Sequence, residues 1–135
     1  MKRIFITGGC GFIGSNFIQY QFNSTDNEIL NFDKLTYAGI KENNESIKDE
    51  NYSFIHGDIC DEISLSKAIL NFAPDTIVHF AAESHVDRSI ENPLEFVKTY
   101  VIGTANLLDI SYNYFTKHRS IKDFRFIHVS TDEVY

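Results

Sequence analysis

Arg3-Ile4-Phe5-Ile6-Thr7-Gly8-Gly9-Cys10-Gly11-Phe12-Ile13-Gly14 decides the fold of this chain. Its first five residues read as a short buried strand that runs into glycines. Apolar residues then recur at helical spacing over 12–22, at Phe12, Ile13, Phe17, Ile18 and Phe22. A strand that turns through glycines into a helix is the first half of a βαβ unit.

The rest of the chain repeats that alternation. Glu28–Asp33 reads as a second strand, and the polar stretch 34–51 that follows predicts a long loop with a short helix; long loops in compact domains are usually functional. Tyr52–His56 is a third strand. Glu62–Phe72 is a helix with Ile63, Ala68, Ile69 and Phe72 near one side and Pro74 just beyond its end. Residues 76–80 form a fourth strand. Asn92-Pro93-Leu94-Glu95 has the residues of a capped helix start, and Leu94, Val97, Val101, Ala105, Leu108 and Tyr112 predict one long helix over 92–115. Residues 124–129 are a fifth strand. Five strands alternating with helices predict an α/β fold, a doubly wound parallel sheet of Rossmann type with helices on both faces, cut short after the fifth strand.

Composition excludes several function classes. The chain's 135 residues fit one domain, and a formal charge of -7 disfavours a polyanion-binding surface, which needs clustered Lys and Arg. Nucleic acid is not an expected partner. The longest apolar stretch, near Thr76 to Ala82, is far short of the ~20 residues of a membrane helix. The apolar run after Met1-Lys2-Arg3 breaks at Thr7-Gly8-Gly9, so no signal peptide is read and the expected location is cytoplasmic. Cys10 and Cys60 are too few for a disulfide framework and are read as free thiols. His56 and Cys60 have a spacing that suits a metal, but Gly57-Asp58 between them reads as a turn and no second pair exists, so no metal is expected.

The glycines satisfy both Gly-x-Gly-x-x-Gly from Gly9 and Gly-x-x-Gly-x-x-Gly from Gly8. One makes the tight turn and one lets backbone approach a pyrophosphate. Gly14 lets the helix pack closely while its N-terminus faces the phosphate charge. Asp33, 19 residues beyond Gly14 at the end of the second strand, has the spacing of the carboxylate that binds a ribose 2′-hydroxyl. Together they predict a dinucleotide, and a carboxylate there favours NAD over NADP, although Lys34 beside it pulls the other way. Asp58-Ile59, after the third strand, is placed to cap the adenine side, and Asp58 reads equally as a turn residue flanking a helix. Ala81-Ala82, after the fourth strand, offers small side chains where backbone and the nicotinamide ribose would come close. The fifth strand delivers Ser130-Thr131-Asp132-Glu133 to its carboxyl end, where ligands of such sheets sit.

Four motifs, Thr7 to Gly14, Asp33-Lys34-Leu35-Thr36-Tyr37-Ala38-Gly39, Ala81-Ala82-Glu83-Ser84-His85-Val86-Asp87-Arg88-Ser89 and Ser130-Thr131-Asp132-Glu133-Val134-Tyr135, resemble the extended short-chain dehydrogenase/reductase family and, within it, the dTDP-glucose 4,6-dehydratases. The resemblance runs over essentially the whole chain. It implies a cofactor site of Gly8, Gly11, Phe12, Ile13, Gly14, Asp33, Lys34, Leu35, Thr36, Asp58, Ile59, Phe80, Ala81, Ala82 and Thr99. It also implies conversion of a nucleoside-diphosphate glucose to its 4-keto-6-deoxy sugar by C4 oxidation, loss of water across C5 and C6, and hydride return to C6. Catalysis falls to Thr131, Asp132 and Glu133, with Ser84 and Thr131 contacting substrate. Asp132 donates a proton to the C6 oxygen, Glu133 removes the C5 proton and Thr131 hydrogen-bonds the C4 oxygen. A homodimer through the helix 92–115 is the implied assembly.

One departure matters. The family continues to a Tyr-x-x-x-Lys pair and a smaller carboxyl-terminal substrate domain, so residues 1–135 are expected to be an incomplete NAD-binding domain, inactive alone. Tyr37-Ala38-Gly39-Ile40-Lys41 matches that spacing but follows the second strand and is read as coincidence. Three alternatives stay open: a UDP-glucose 4,6-dehydratase, a sugar-nucleotide 4-epimerase, which has no need of Asp132 and Glu133, and a non-catalytic NAD-binding module.

Overall fold

The computed structural model describes residues 1–45, 47, 50–82, 93–118 and 123–130. In β1 (Arg3–Thr7) alternate side chains serve opposite faces of the sheet: Phe5 joins one apolar cluster, Ile4 and Ile6 the other. β2 (Glu28–Asp33) is buried from Ile29 onward and β4 (Thr76–His79) throughout, as interior parallel strands with both faces covered require. β3 (Tyr52–His56) and β5 (Arg125–His128) complete a sheet of order β3-β2-β1-β4-β5 in which every pairing is parallel. β4 and β5 are shorter than the expected 76–80 and 124–129.

Helices cover both faces. α1 (Phe12–Ser24) packs Ile18 with Phe17 and Phe22 against Ile4, Ile6, Ile29 and Val78. On the opposite face α2 (Glu62–Phe72) sets Leu65, Ala68, Ile69 and Phe72 against Phe5, Leu30, Phe32 and Ile77. Asp61 caps α2 by accepting the Ser64 N–H at 3.1 Å, and Ala73, in the left-handed region with φ 48°, closes it through its N–H to Ile69 O, one residue before Pro74.

The single long helix expected over 92–115 is instead three joined segments: α3 (Pro93–Val97), a π-helical stretch Lys98–Gly103, and α4 (Thr104–Lys117). Asn92, its expected cap, lies outside the described residues. The π stretch passes close over the β3–α2 loop: a Cβ on Gly103 would stand 2.6 Å from the Ile59 side chain. α4 buries Leu107, Ile110 and Tyr114 beside α2. The loop after β2 contains a 3-10 turn, Lys41–Asn44, the short helix expected there.

Candidate functional site

Strand order reverses between β1 and β4, and a cavity of about 910 Å³ opens at their carboxyl ends, where ligands of open α/β sheets bind. Three glycines shape its floor. Gly8 turns the chain with φ +74°, and a Cβ there would lie 2.5 Å from the Ala81 backbone nitrogen, so the ends of β1 and β4 meet only because position 8 has no side chain. At Gly14 a Cβ would lie 2.3 Å from Gly8 O, which ties the start of α1 to the turn. Gly11 is different: its missing Cβ would meet only Gly8 O, at 3.4 Å, so its open side faces the cavity. Gly11 is also the N-cap of α1 and supplies no side-chain acceptor, which leaves the first N–H groups of the helix to a ligand. This donor set fits a diphosphate.

Asp33, 7% exposed at the end of β2, lines the same cavity and holds the turn. Its Oδ2 accepts the Cys10 N–H at 2.8 Å and its Oδ1 the Leu35 N–H at 2.8 Å. That second bond steadies Leu35 at φ +53°, a strained conformation for a leucine. Lys34 Nζ pairs with Asp58 at 2.8 Å and approaches Glu95 at 3.9 Å. Hydrogen bonding to Asp58 raises the lysine's pKa. Burial pushes Asp58 up, but Lys34 and the Cys60 N–H outweigh it and hold the carboxyl below its ordinary value. The cation that argued for NADP is therefore already engaged. Asp58 fills both readings, since it lines the cavity and also accepts the Cys60 N–H at 2.9 Å as a turn residue.

Every residue expected at the cofactor site lines this cavity except Leu35, whose part is the N–H given to Asp33. Thr99 faces it from the π stretch. Ser84, Thr131, Asp132 and Glu133 lie outside the described residues, as do His85, Asp87 and Arg88 of the same motif. Lys41 stands 5.2 Å from the centre of the Phe54 ring at the β3 edge, away from the cavity, so the Tyr37/Lys41 spacing builds no site there. His56 bonds Lys34 O at 3.0 Å while the Cys60 thiol donates to Lys98 O at 3.4 Å, two separate errands.

Sequence reasoning missed several residues. Phe96 and Tyr100 line the cavity as an aromatic pair with centroids 5.7 Å apart; their spacing of four on a helix was the available signal. His128 and Val129 line it from the end of β5, beside Ser130, which the sequence had placed at that end. His79 is 1% exposed. Its Nδ1 lies 2.6 Å from Thr7 Oγ1 and its Nε2 3.1 Å from Thr104 Oγ1, joining β1, β4 and α4. Burial, then the neighbouring His128, push its pKa down to about 4, so it is neutral near pH 7.

Comparison with known proteins agrees with this geometry. A family model described as GDP-mannose 4,6 dehydratase matches residues 5–135. The dTDP-glucose 4,6-dehydratase of Shigella flexneri is 46% identical over 136 residues, covering 98% of this chain and 38% of that protein. Among solved structures, a dTDP-glucose 4,6-dehydratase from Streptomyces venezuelae with NAD and TYD bound superposes with a TM-score of 0.86 at 41% identity, over 98% of this chain and 40% of that one. The Bacillus anthracis dTDP-glucose 4,6-dehydratase in complex with NAD gives 0.83 at 40% identity, over 100% and 39%. A Thermotoga maritima UDP-glucose 4-epimerase with UDP-glucose gives 0.78 at 30%, over 96% and 38%. The chain thus spans about two fifths of the length of these relatives. With a family model matched along nearly its whole length, the chain belongs to the GDP-mannose 4,6 dehydratase family.

Proposed function

We propose that residues 1–135 are the NAD-binding part of an NAD-dependent sugar-nucleotide 4,6-dehydratase that converts dTDP-glucose to its 4-keto-6-deoxy sugar. The observation that carries this reading is the convergence on one cavity of the open glycine turn, the uncapped start of α1 and Asp33, in a chain 46% identical to a dTDP-glucose 4,6-dehydratase. Gly11, Phe12 and Ile13 hold the cofactor's diphosphate, Asp33 its ribose hydroxyls, and Asp58 and Ile59 its adenine. NAD would supply the one chemistry no side chain offers, accepting hydride from C4 and returning it to C6.

The elimination falls to this chain's own groups. A C5 proton is acidic only beside a C4 ketone, and a C6 hydroxyl leaves only when protonated. Glu133 takes the C5 proton, Asp132 gives a proton to the C6 oxygen, which departs as water, and Thr131 hydrogen-bonds the C4 oxygen. Ser84 serves the substrate. The helix over 93–117 shows an apolar outer face with Leu94, Val97, Val101, Leu108 and Tyr112 each about half exposed or more, which supports a homodimer through it. No described helix is long and apolar enough to cross a membrane, in keeping with a cytoplasmic enzyme.

The test incubates the whole gene product with NAD and either dTDP-glucose or UDP-glucose in deuterated water, with the sugar identified by NMR. A 4-keto-6-deoxy product bearing deuterium at C5 supports the proposal and names the nucleotide. An unlabelled C4 epimer would replace it with the epimerase, and NAD binding without turnover with a non-catalytic module.

A further inference from the structure

Behind the glycine turn stand three asparagines, Asn31, Asn43 and Asn44, that the proposed chemistry does not use. All four backbone polar atoms of Gly9 and Cys10 are bound by groups from outside the turn. Gly9 N–H donates to Asn31 Oδ1 at 3.1 Å, and Gly9 O accepts from Asn44 Nδ2 at 2.9 Å. Cys10 N–H donates to Asp33, and Cys10 O accepts both the Asn43 side chain at 3.1 Å and the Ile40 N–H at 3.0 Å. Gln19 of α1 in turn holds Asn43 O at 2.9 Å. Two residues with no free polar backbone atom cannot rotate a peptide without breaking several hydrogen bonds at once. Gly11 N–H bonds Gly8 O at 3.2 Å, and beyond it the first turn of α1 presents amides that have no partner within the helix.

We infer that Asn31, Asn43 and Asn44 are positioning residues that fix the Gly9–Cys10 peptide, and through it aim the phosphate-binding amides of α1, without touching the cofactor. The inference rests on the cofactor reading above. None of the three lines the cavity. Asn44 is the most telling: it is 3% exposed, and its Oδ1 is the one buried side-chain polar atom without a partner among the described residues. An unpaired buried amide oxygen destabilises a fold. The Asn44 amide is thus buried with its nitrogen committed to Gly9 O at 2.9 Å.

Asn44→Leu tests this, because it deletes the donor to Gly9 O together with the unpaired oxygen. Amide hydrogen exchange, read by NMR on the ligand-free chain, should quicken roughly tenfold at Gly9, Cys10 and Gly11 and stay unchanged in β1 and in the middle of α1. Affinity for NAD should fall roughly tenfold while that for adenosine, which carries no phosphate, stays within about twofold. The thermal midpoint should hold within a few degrees. Unchanged exchange in the turn overturns the inference, and so does an equal loss of affinity for NAD and adenosine. Asn43→Ala, at a half-buried position, provides the same test if Asn44→Leu does not fold. A wild-type chain that fails to bind NAD refutes the cofactor reading, and the exchange comparison still decides the role of the asparagines.

Discussion

The two flanks of β1 meet the cavity in different ways. On the β2 flank, Asn31 and Asp33 bind backbone N–H groups, partners whose donor role is fixed by the peptide. On the β4 flank, His79 sits between the hydroxyls of Thr7 and Thr104, partners that donate or accept by rotating. The first arrangement has one hydrogen-bonding pattern. The second tolerates either tautomer and contains the only deeply buried imidazole among the described residues. The flank behind the proposed phosphate site is thus held by partners of fixed role, while the flank toward β5 is joined by adaptable groups.

The largest break in this comparison comes at the hinge between the flanks. Gly14→Ala forces a methyl against Gly8 O and should cost about 3 kcal/mol of stability in urea unfolding, and with it cofactor binding. The β4 flank is tested by pH. The folded His79 titrates at about 4 against 6.5 for a free imidazole, so between those values the unfolded chain binds a proton that the folded chain refuses. Stability from this residue is complete above pH 6.5 and declines as pH falls toward 4, by about 3 kcal/mol. Subtracting the urea midpoints of His79→Gln from those of the wild type across that window isolates the contribution; parallel curves would refute it.

Smaller effects sharpen the β2 flank. Asp33→Ala removes the acceptor of two backbone N–H groups as well as the proposed ribose ligand, so calorimetric NAD affinity should fall by roughly 30-fold to 100-fold. It should fall with no gain for NADP, because Lys34 stays with Asp58. Asp58→Asn frees that lysine. Its cost in stability should be no more than about 0.5 kcal/mol, as for other half-exposed ion pairs, and the ratio of NADP to NAD affinity should rise.

What the sequence revealed follows from which signals are local. β1, β2, β3 and α2 begin and end where the apolar residues, the glycines after Thr7 and Pro74 place them. The glycine spacing and Asp33 located the cavity, because those residues act through steric absence and a fixed chain distance. The links behind the turn were not legible. Asn31 stands in a strand buried on both faces, and Asn44 in a polar loop, so neither context marks an asparagine as the holder of another segment's backbone. His79 was read only as part of a strand for the same reason, since its partners lie 72 and 25 residues away. The π stretch escaped because its apolar spacing is that of an ordinary helix.

Cys10 gives the turn a clock. Its thiol is wholly buried, and burial together with the Asp33 charge lifts its pKa to about 11, so a native chain presents almost no thiolate there at neutral pH. An alkylating reagent reaches that sulfur only in molecules whose turn has come apart, whereas Cys60 is half-buried. With Cys60 replaced by serine, the rate of modification counts openings of the turn one molecule at a time, and its slowing as a ligand is added would report occupancy without any need for turnover.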